Sequence, residues 1–254
     1  MMKDGLSLVM ITKNSSDTLE KSLNSALGLT SEIVIDDDHS TDQTRLIAGR
    51  FGAIIIKNTN LSLGKRRQRL LAKATFKWIL ALDPDETISP GLKKEIKRIV
   101  GNKKSADGYE VYFQNHYLGK EISHGGENYK LIRLFKKGRG EATLSDIHET
   151  YILKSGKTGV LKNKILHYSY RSFFQVLSKF TVYSLLSAKQ KARQHEKTSL
   201  KKIFVYPAHM FYSRYIADGG YKDGLFRLPL DLGFAYMEFL TYLLLLFYQR
   251  NKKI

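Results

Sequence analysis

The stretch Trp78-Ile79-Leu80-Ala81-Leu82-Asp83-Pro84-Asp85-Glu86 is an unbroken apolar run that stops at three carboxylates. Five consecutive apolar residues read as a strand buried on both faces, and the acidic residues then fall where that strand leaves its sheet. Carboxylates a few ångströms apart repel one another unless solvated, protonated or bridged, and a hard divalent cation, Mg²⁺ or Mn²⁺, suits oxygen ligands of this kind. Asp83 and Asp85, two apart in extended chain, are expected to point the same way and to form a metal site. Such a site suits the diphosphate of an activated donor, held through the cation.

Outward from this strand the periodicity alternates. Residues 6–11 read as a buried first strand, and Leu19, Leu23 and Leu27 as one face of a helix capped by Ser15 or Ser16. Residues 33–35 form a second strand running into Asp36-Asp37-Asp38, after which Ser40 and Gln43 fit a capping box for a helix carrying Leu46, Ile47 and Phe51. Residues 53–56 read as a third strand, 64–75 as a helix, and Ser89-Pro90 as the start of another through Val100. The order βαβαβαβ predicts an α/β fold with a Rossmann-like, mostly parallel sheet flanked by helices, whose ligands bind beyond the carboxyl ends of the strands. Both acidic clusters fall at such ends.

From Asp107 the pattern changes to strands at 109–113 and 131–135 with Gly- and His-containing loops, ground suited to an acceptor pocket. Beyond Tyr170 it turns helical, with Phe173, Leu177, Phe180 and Leu185 on one side, a basic stretch at 189–202, and an apolar segment at 232–248. That segment falls short of the roughly 20 apolar residues a crossing helix needs. Asp231, Glu238, Thr241, Tyr242 and Gln249 share a stripe on it, so it is expected to lie on a membrane or pack on the catalytic domain. The expected organisation is a donor-binding half at 1–105, an acceptor-binding half at 106–170, and a helical, membrane-associating C-terminal extension at 171–254.

A chain of 254 residues, 43% hydrophobic and 26% charged, has room for one sizeable core plus an appended element. Its net charge of +18 implies attraction to polyanions: nucleic acid, an anionic membrane or a phosphorylated substrate. The basic residues are spread along the chain rather than gathered with stacking aromatics, which argues against a nucleic-acid-binding protein. The lack of cysteine fits a reducing compartment, and the amino terminus has no signal-peptide pattern, so the catalytic part is expected in the cytoplasm, peripheral to the inner face of the membrane. Neither G-x-G-x-x-G nor a P-loop follows the first strand, and His148-Glu149 lacks a second His at position 152. Metal and basic side chains must therefore carry any diphosphate.

Glu32-Ile33-Val34-Ile35 through Asp37, then Ser40-Thr41-Asp42 and Thr44, together with residues 78–86, resemble the family 2 glycosyltransferases of the GT-A fold. Arg133-Leu134-Phe135, His148-Glu149 and His167-Tyr168 resemble the subgroup of lipopolysaccharide-core β1,4-glucosyltransferases. The resemblance implies that Asp37 contacts the nucleotide base, that Asp83 lies near the ribose and metal, and that Asp85 coordinates the cation. Thr12, Asn14 and Arg67 complete the expected donor-binding set, although the run Lys65, Arg66, Arg67 and Arg69 reads equally as a solvated helix face. Glu149 is the candidate general base with Asp146 as fallback, and a structural, salt-bridged Glu149 is the alternative. His124, Arg133 and His148 form the expected acceptor-binding set; Arg133 reads equally as a carboxylate partner, and His124 and His167 read as hydrogen-bonded loop histidines, with contact to substrate or metal the alternative for either. The activity implied is inverting transfer of a hexose, foremost glucose from UDP-glucose, to a hydroxyl of a lipid-linked saccharide such as an inner-core heptose. A polyprenyl phosphate or another cell-envelope glycan is the alternative acceptor. The implied partners are the nucleotide-sugar donor, the lipid-linked acceptor and the inner membrane surface, with no nucleic acid.

Overall fold

The computed structural model describes residues 3–57, 60–143 and 150–250. Its first half alternates as the apolar pattern predicts: β1 (Lys3–Thr12), α1 (Leu19–Ala26), β2 (Glu32–Asp37), α2 (Thr44–Arg50), β3 (Ile54–Lys57), α3 (Leu63–Lys73) and β4 (Phe76–Ala81). There follow β5 (Glu86–Ile88), α4 (Pro90–Val100), β6 (Gly108–Tyr117), β7 (Lys120–Ile122), β8 (Lys130–Lys136), β9 (Gly140–Ala142), β10 (Tyr151–Leu153), β11 (Thr158–Val160) and β12 (Ile165–Tyr170). The chain divides into two units, residues up to Phe113 with Tyr129–His167, and Gln114–Asn128 with residues from Tyr168 onward.

In the first unit β3, β2, β1 and β4 run parallel, and β8 then β6 extend the sheet antiparallel beside β4. Successive side chains of a strand point to opposite faces, so each central strand feeds two cores. Leu8, Met10, Ile35, Trp78 and Leu80 pack with α1, α2 and α4 on one side, while Val9, Val34, Ile79 and Ala81 meet Leu70, Leu71 and Ala74 of α3 on the other. Burial on both faces is why the strands read as unbroken apolar runs. Trp78, the chain's one tryptophan, is 1% exposed.

Local details depart from expectation where backbone groups find other partners. Neither Ser15 nor Ser16 caps α1 with its side chain; the Ser15 carbonyl accepts from the backbone of Thr18 and Leu19, and Leu27 lies beyond the helix end. The capping box of Ser40 and Gln43 is replaced by Asp42, whose carboxylate accepts from Thr44 N (3.0 Å). The Ser89 cap of α4 does form, accepting from Leu92 N. β5 was not foreseen; a three-residue strand carries too little periodicity to read.

The second unit contains the hairpin of β7 with the end of β6, then α5 (Phe173–Arg193), α6 (Leu200–Phe211), a π-helical turn (Tyr212–Ala217), two short 3₁₀ turns and α7 (Leu228–Arg250). The buried side of α5 is Val176, Phe180, Ser184 and Ala188; of the expected stripe Phe180 is buried, whereas Phe173 and Leu185 are exposed. The small Ser184 allows close approach of α7, its hydroxyl donating to the Met237 carbonyl (2.9 Å). The carboxyl-terminal segment corrects a second expectation. With the turn before it, α7 gives a helical stretch from Leu225 to Arg250 that is long and apolar enough to cross a membrane. It packs against α5 and α6, with Asp231, Thr241 and Tyr242 turned inward.

A buried ionic cluster ties the loop after β7 to these helices. Arg227, fully buried, donates to Asp231 (2.8 Å), Asp223 (2.8 Å) and the Gly125 carbonyl (3.2 Å). Arg214, in the π-helical turn, pairs with Glu127 and Asp231 and lies 3.6 Å over the Phe234 ring. Gly125, at φ +62°, comes so close to Arg227 that a Cβ there would collide with the guanidinium. Removing one partner of a buried ion pair leaves an uncompensated charge. Arg227→Ala is therefore expected to cost about 3–5 kcal/mol, read as a lowered urea midpoint of helical ellipticity.

Candidate active site

The carboxyl ends of β1 and β2 are bound together by side chains rather than by a glycine-rich cradle. Thr12 stands beside Asp37 in the parallel register and donates to it (3.2 Å), while Ser40 N (3.1 Å) and Arg45 Nε (2.6 Å) reach the other Asp37 oxygen. Burial alone would raise the Asp37 carboxyl, but the hydrogen bonds from Ser40 and Arg45 outweigh it and hold the group below its usual value. Asn14, with φ +45°, turns the chain so that its amide donates to Ser40 Oγ (2.9 Å) and its side chain accepts from Thr41 N (2.8 Å). Asp36 and Asp37 thus lie inside β2 and are buried, not in a solvated loop. The basic run on α3 explains how Asp36 is tolerated there. Arg66 Nε donates to it (2.9 Å), Arg69 pairs with its second oxygen, and Arg66 also reaches Asp38 at 3.4 Å. These arginines are neither a solvated face nor open phosphate contacts.

The acidic stretch after β4 forms a turn closed by Glu86 N donating to the Asp83 carbonyl (3.0 Å). It is not extended, and Asp83 and Asp85 take different ion-pair partners. Asp83 accepts from Arg133 (3.0 Å) and lies 3.7 Å from Arg67, whereas Asp85 faces His167 Nε2 at 3.7 Å. β5 pairs antiparallel with β12, setting His167 opposite Glu86. Glu86, 1% exposed, accepts from Arg133 (2.6 Å) and from Asp83 N (2.9 Å). Arg133 is itself buried and lies 5.2 Å over the Phe113 ring, so it orients carboxylates and is not placed to receive an acceptor. Arg67 lies 5.2 Å over the ring of Tyr151. The Nε groups of Arg67 and Arg133 are both buried without a hydrogen-bond partner.

Burial disfavours the charged form of Asp83, but Arg133 and Arg67 together hold its carboxyl well below the usual range. Burial pushes Glu86 up to about 7, the neighbouring Asp83 charge adds to that, and Arg133 offsets only part. Among the described residues no group of three or more His, Asp or Glu side chains is gathered to hold a metal ion. Asp85 with His167 nonetheless fits a hard octahedral cation, which takes one or two protein ligands and fills its remaining positions with phosphate oxygens and water.

The other expected site residues fall elsewhere. His124 belongs to the second unit, where Asp223 accepts from its Nδ1 (2.6 Å). Asp146, His148 and Glu149 lie outside the described residues. Glu86 and Tyr151 carry roles in the site that the sequence reading did not assign, and His167 is drawn to Asp85. Their partners are 47 residues away or more, beyond any local spacing signal. A carboxyl raised on folding binds a proton that the unfolded chain releases near 4.5, so stability falls as pH rises from that value to about 7. Glu86→Gln is expected to flatten this part of the profile, measured as urea midpoints between about pH 5 and pH 8.

Comparison with known proteins agrees with this arrangement. The sequence profile described as "Glycosyl transferase family 2" matches residues 7–162. An uncharacterized glycosyltransferase of Rickettsia typhi is 27% identical, over 92% of this chain and 84% of the relative. The lipopolysaccharide core biosynthesis glycosyltransferase LpsC of Rhizobium meliloti is 23% identical, over 87% of this chain and 84% of its own length. Among solved structures, S. aureus TarS 1-349 in complex with UDP-GlcNAc superposes with a TM-score of 0.50 at 14% identity, covering 98% of this chain and 92% of that one. A parallel-dominated sheet of the GT-A kind and a profile match across more than half the sequence converge: the chain belongs to glycosyl transferase family 2.

Proposed function

We propose that this glycosyltransferase moves a hexose, with inversion, from a nucleoside diphosphate sugar, UDP-glucose being the first donor to test, to a hydroxyl of a lipid-linked saccharide at the inner face of the cytoplasmic membrane. One observation carries the reading: the turn from Asp83 to Glu86 at the carboxyl end of β4, held by Arg67 and Arg133, with Asp85 facing His167. Asp37, with Thr12 and Asn14 about it, is the expected base-binding group, and Asp83 the group near the ribose. Arg133 acts by fixing Asp83 and Glu86. The likeness to LpsC, a lipopolysaccharide core biosynthesis glycosyltransferase, supports a lipopolysaccharide-core acceptor, with an inner-core heptose the first to test.

Asp85, with His167 beside it, would hold Mg²⁺ or Mn²⁺. A bound cation supplies Lewis-acid stabilisation of the charge that builds on the departing diphosphate. Glu149 would take the proton from the attacking acceptor hydroxyl, and inversion by a single displacement needs no protein nucleophile. His124, its Nδ1 bonded to Asp223, leaves its other ring nitrogen to meet the acceptor.

Glu149→Gln is expected to lower turnover by about 10²- to 10⁴-fold with folding intact. Asp85→Ala is expected to suppress turnover and to raise the cation concentration needed for half-maximal rate. The decisive measurement is a screen for metal-dependent UDP or GDP release with purified lipid-linked core acceptors. Release that a chelator leaves untouched would remove the cation from the site, and transfer to polyprenyl phosphate alone would replace the saccharide acceptor.

A further inference from the structure

Several of the most exposed apolar side chains among the described residues lie in a segment with a strong excess of basic residues. From Arg171 to Ala217 there are nine Lys or Arg residues and a single acid, Glu196. That acid is taken by Lys191 (2.8 Å) and Lys202 (2.7 Å). α6 runs through this segment with one fully buried residue, Ile203. At 100° per residue, Phe204 and Val205 lie about 100° and about 160° round the helix from Ile203, and Leu200, about 60° from it, opens the first turn. Leu200, Phe204 and Val205 are 73%, 63% and 51% exposed, and Tyr212 beyond them is 57% exposed. α5 repeats the arrangement, with Phe174 81% exposed and Val182 and Leu186 also outward. α7 turns Asp231, Thr241 and Tyr242 inward and leaves Leu232, Leu243 and Phe247 exposed. The ionic cluster of Arg214, Arg227, Asp223 and Asp231 lies in the interior of this same unit. The unit thus buries charge beside its apolar clusters and leaves large apolar side chains outside, which is unlike a surface made for water.

Charge decides what covers these faces. A second copy of the chain would bring the same excess of cations against its own likeness, whereas an anionic lipid layer attracts that excess. α6, about 18 Å long, is too short to cross a bilayer and suits lying along one. We propose that the exposed faces of α5 and α6 seat in an anionic phospholipid monolayer, with Phe174, Leu200, Phe204 and Val205 entering the acyl region and Lys197 and Lys201 at the headgroups. This deepens the reading of a membrane-linked acceptor, on which it rests, and moves the contact from the last helix to the two before it.

The test uses the full chain and vesicles of phosphatidylglycerol mixed with phosphatidylcholine, against phosphatidylcholine alone. The protein is expected to co-sediment with the anionic vesicles and to be released by salt. Leu200→Ser/Phe204→Ser/Val205→Ser and, separately, Lys197→Glu/Lys201→Glu are each expected to weaken that binding about tenfold or more. Both are expected to keep the parent's helical ellipticity and its rate of donor hydrolysis in vesicle-free solution. Undiminished binding by both variants, equal and salt-insensitive binding to neutral vesicles, or a vesicle-free dimer that the triple variant dissociates would each overturn the proposal. Salt-sensitive vesicle binding by a protein that hydrolyses no nucleotide sugar would sink the transferase reading and leave this surface standing. Turnover without vesicle binding would do the reverse.

Discussion

A carboxylate can stay charged inside a protein only if a cation is brought to it, and the first unit of this chain is arranged around that requirement. Asp36 and Asp37 at the end of β2 and Glu86 at the start of β5 are almost fully buried, and each is met by a guanidinium: Arg66 and Arg69 from α3 for Asp36, Arg45 from the following helix for Asp37, and Arg133 from β8 for Glu86. These pairs fix the loop after β2 and the turn after β4. A nucleotide diphosphate approaching this edge would therefore meet side chains whose positions are already set, which lessens the cost of organising the site on binding. Part of the chain's large positive charge is thus internal structure rather than attraction for polyanions.

The parallel core was legible because both of its faces are buried. Residues 6–11, 33–35 and 78–82 are apolar without interruption, and the helices between them carry four-residue spacings. The two acidic clusters were legible for the related reason that carboxylates just beyond a buried strand have nowhere apolar to go. Direction was not. Spacing in an extended chain put Asp83 and Asp85 side by side, but the backbone closes a turn from Asp83 to Glu86, and the two carboxylates take different ion-pair partners. Helix caps were missed where an aspartate or a carbonyl outcompeted the expected serine, a contest decided by tertiary position rather than by local sequence.

The second unit shows a different limit. Its helices were expected from composition, but the side of α5 that packs was misjudged, because large apolar residues were taken to mark the inside. The buried positions include Ser184 and Ala188, chosen for closeness of packing, and several of the largest apolar residues are left outside. Periodicity reports that a helix has two faces without saying which solvent each one meets. The pairing of Arg214 and Arg227 with Glu127, Asp223 and Asp231 makes part of the interior polar, beside the apolar packing of Val176, Phe180 and Leu230.

Trp78 sits in β4 five positions before Asp83, within 6.2 Å of the Tyr109 ring and with the Lys136 ammonium 5.7 Å from its own. No second indole dilutes its emission. The fluorescence of the whole protein is therefore a local gauge of the strand that carries the acidic turn. Melting followed by that light describes the donor-binding sheet, while ellipticity at helical wavelengths weighs α5 to α7 heavily, so disagreement between the two curves would expose any independence of the two units without a label being added.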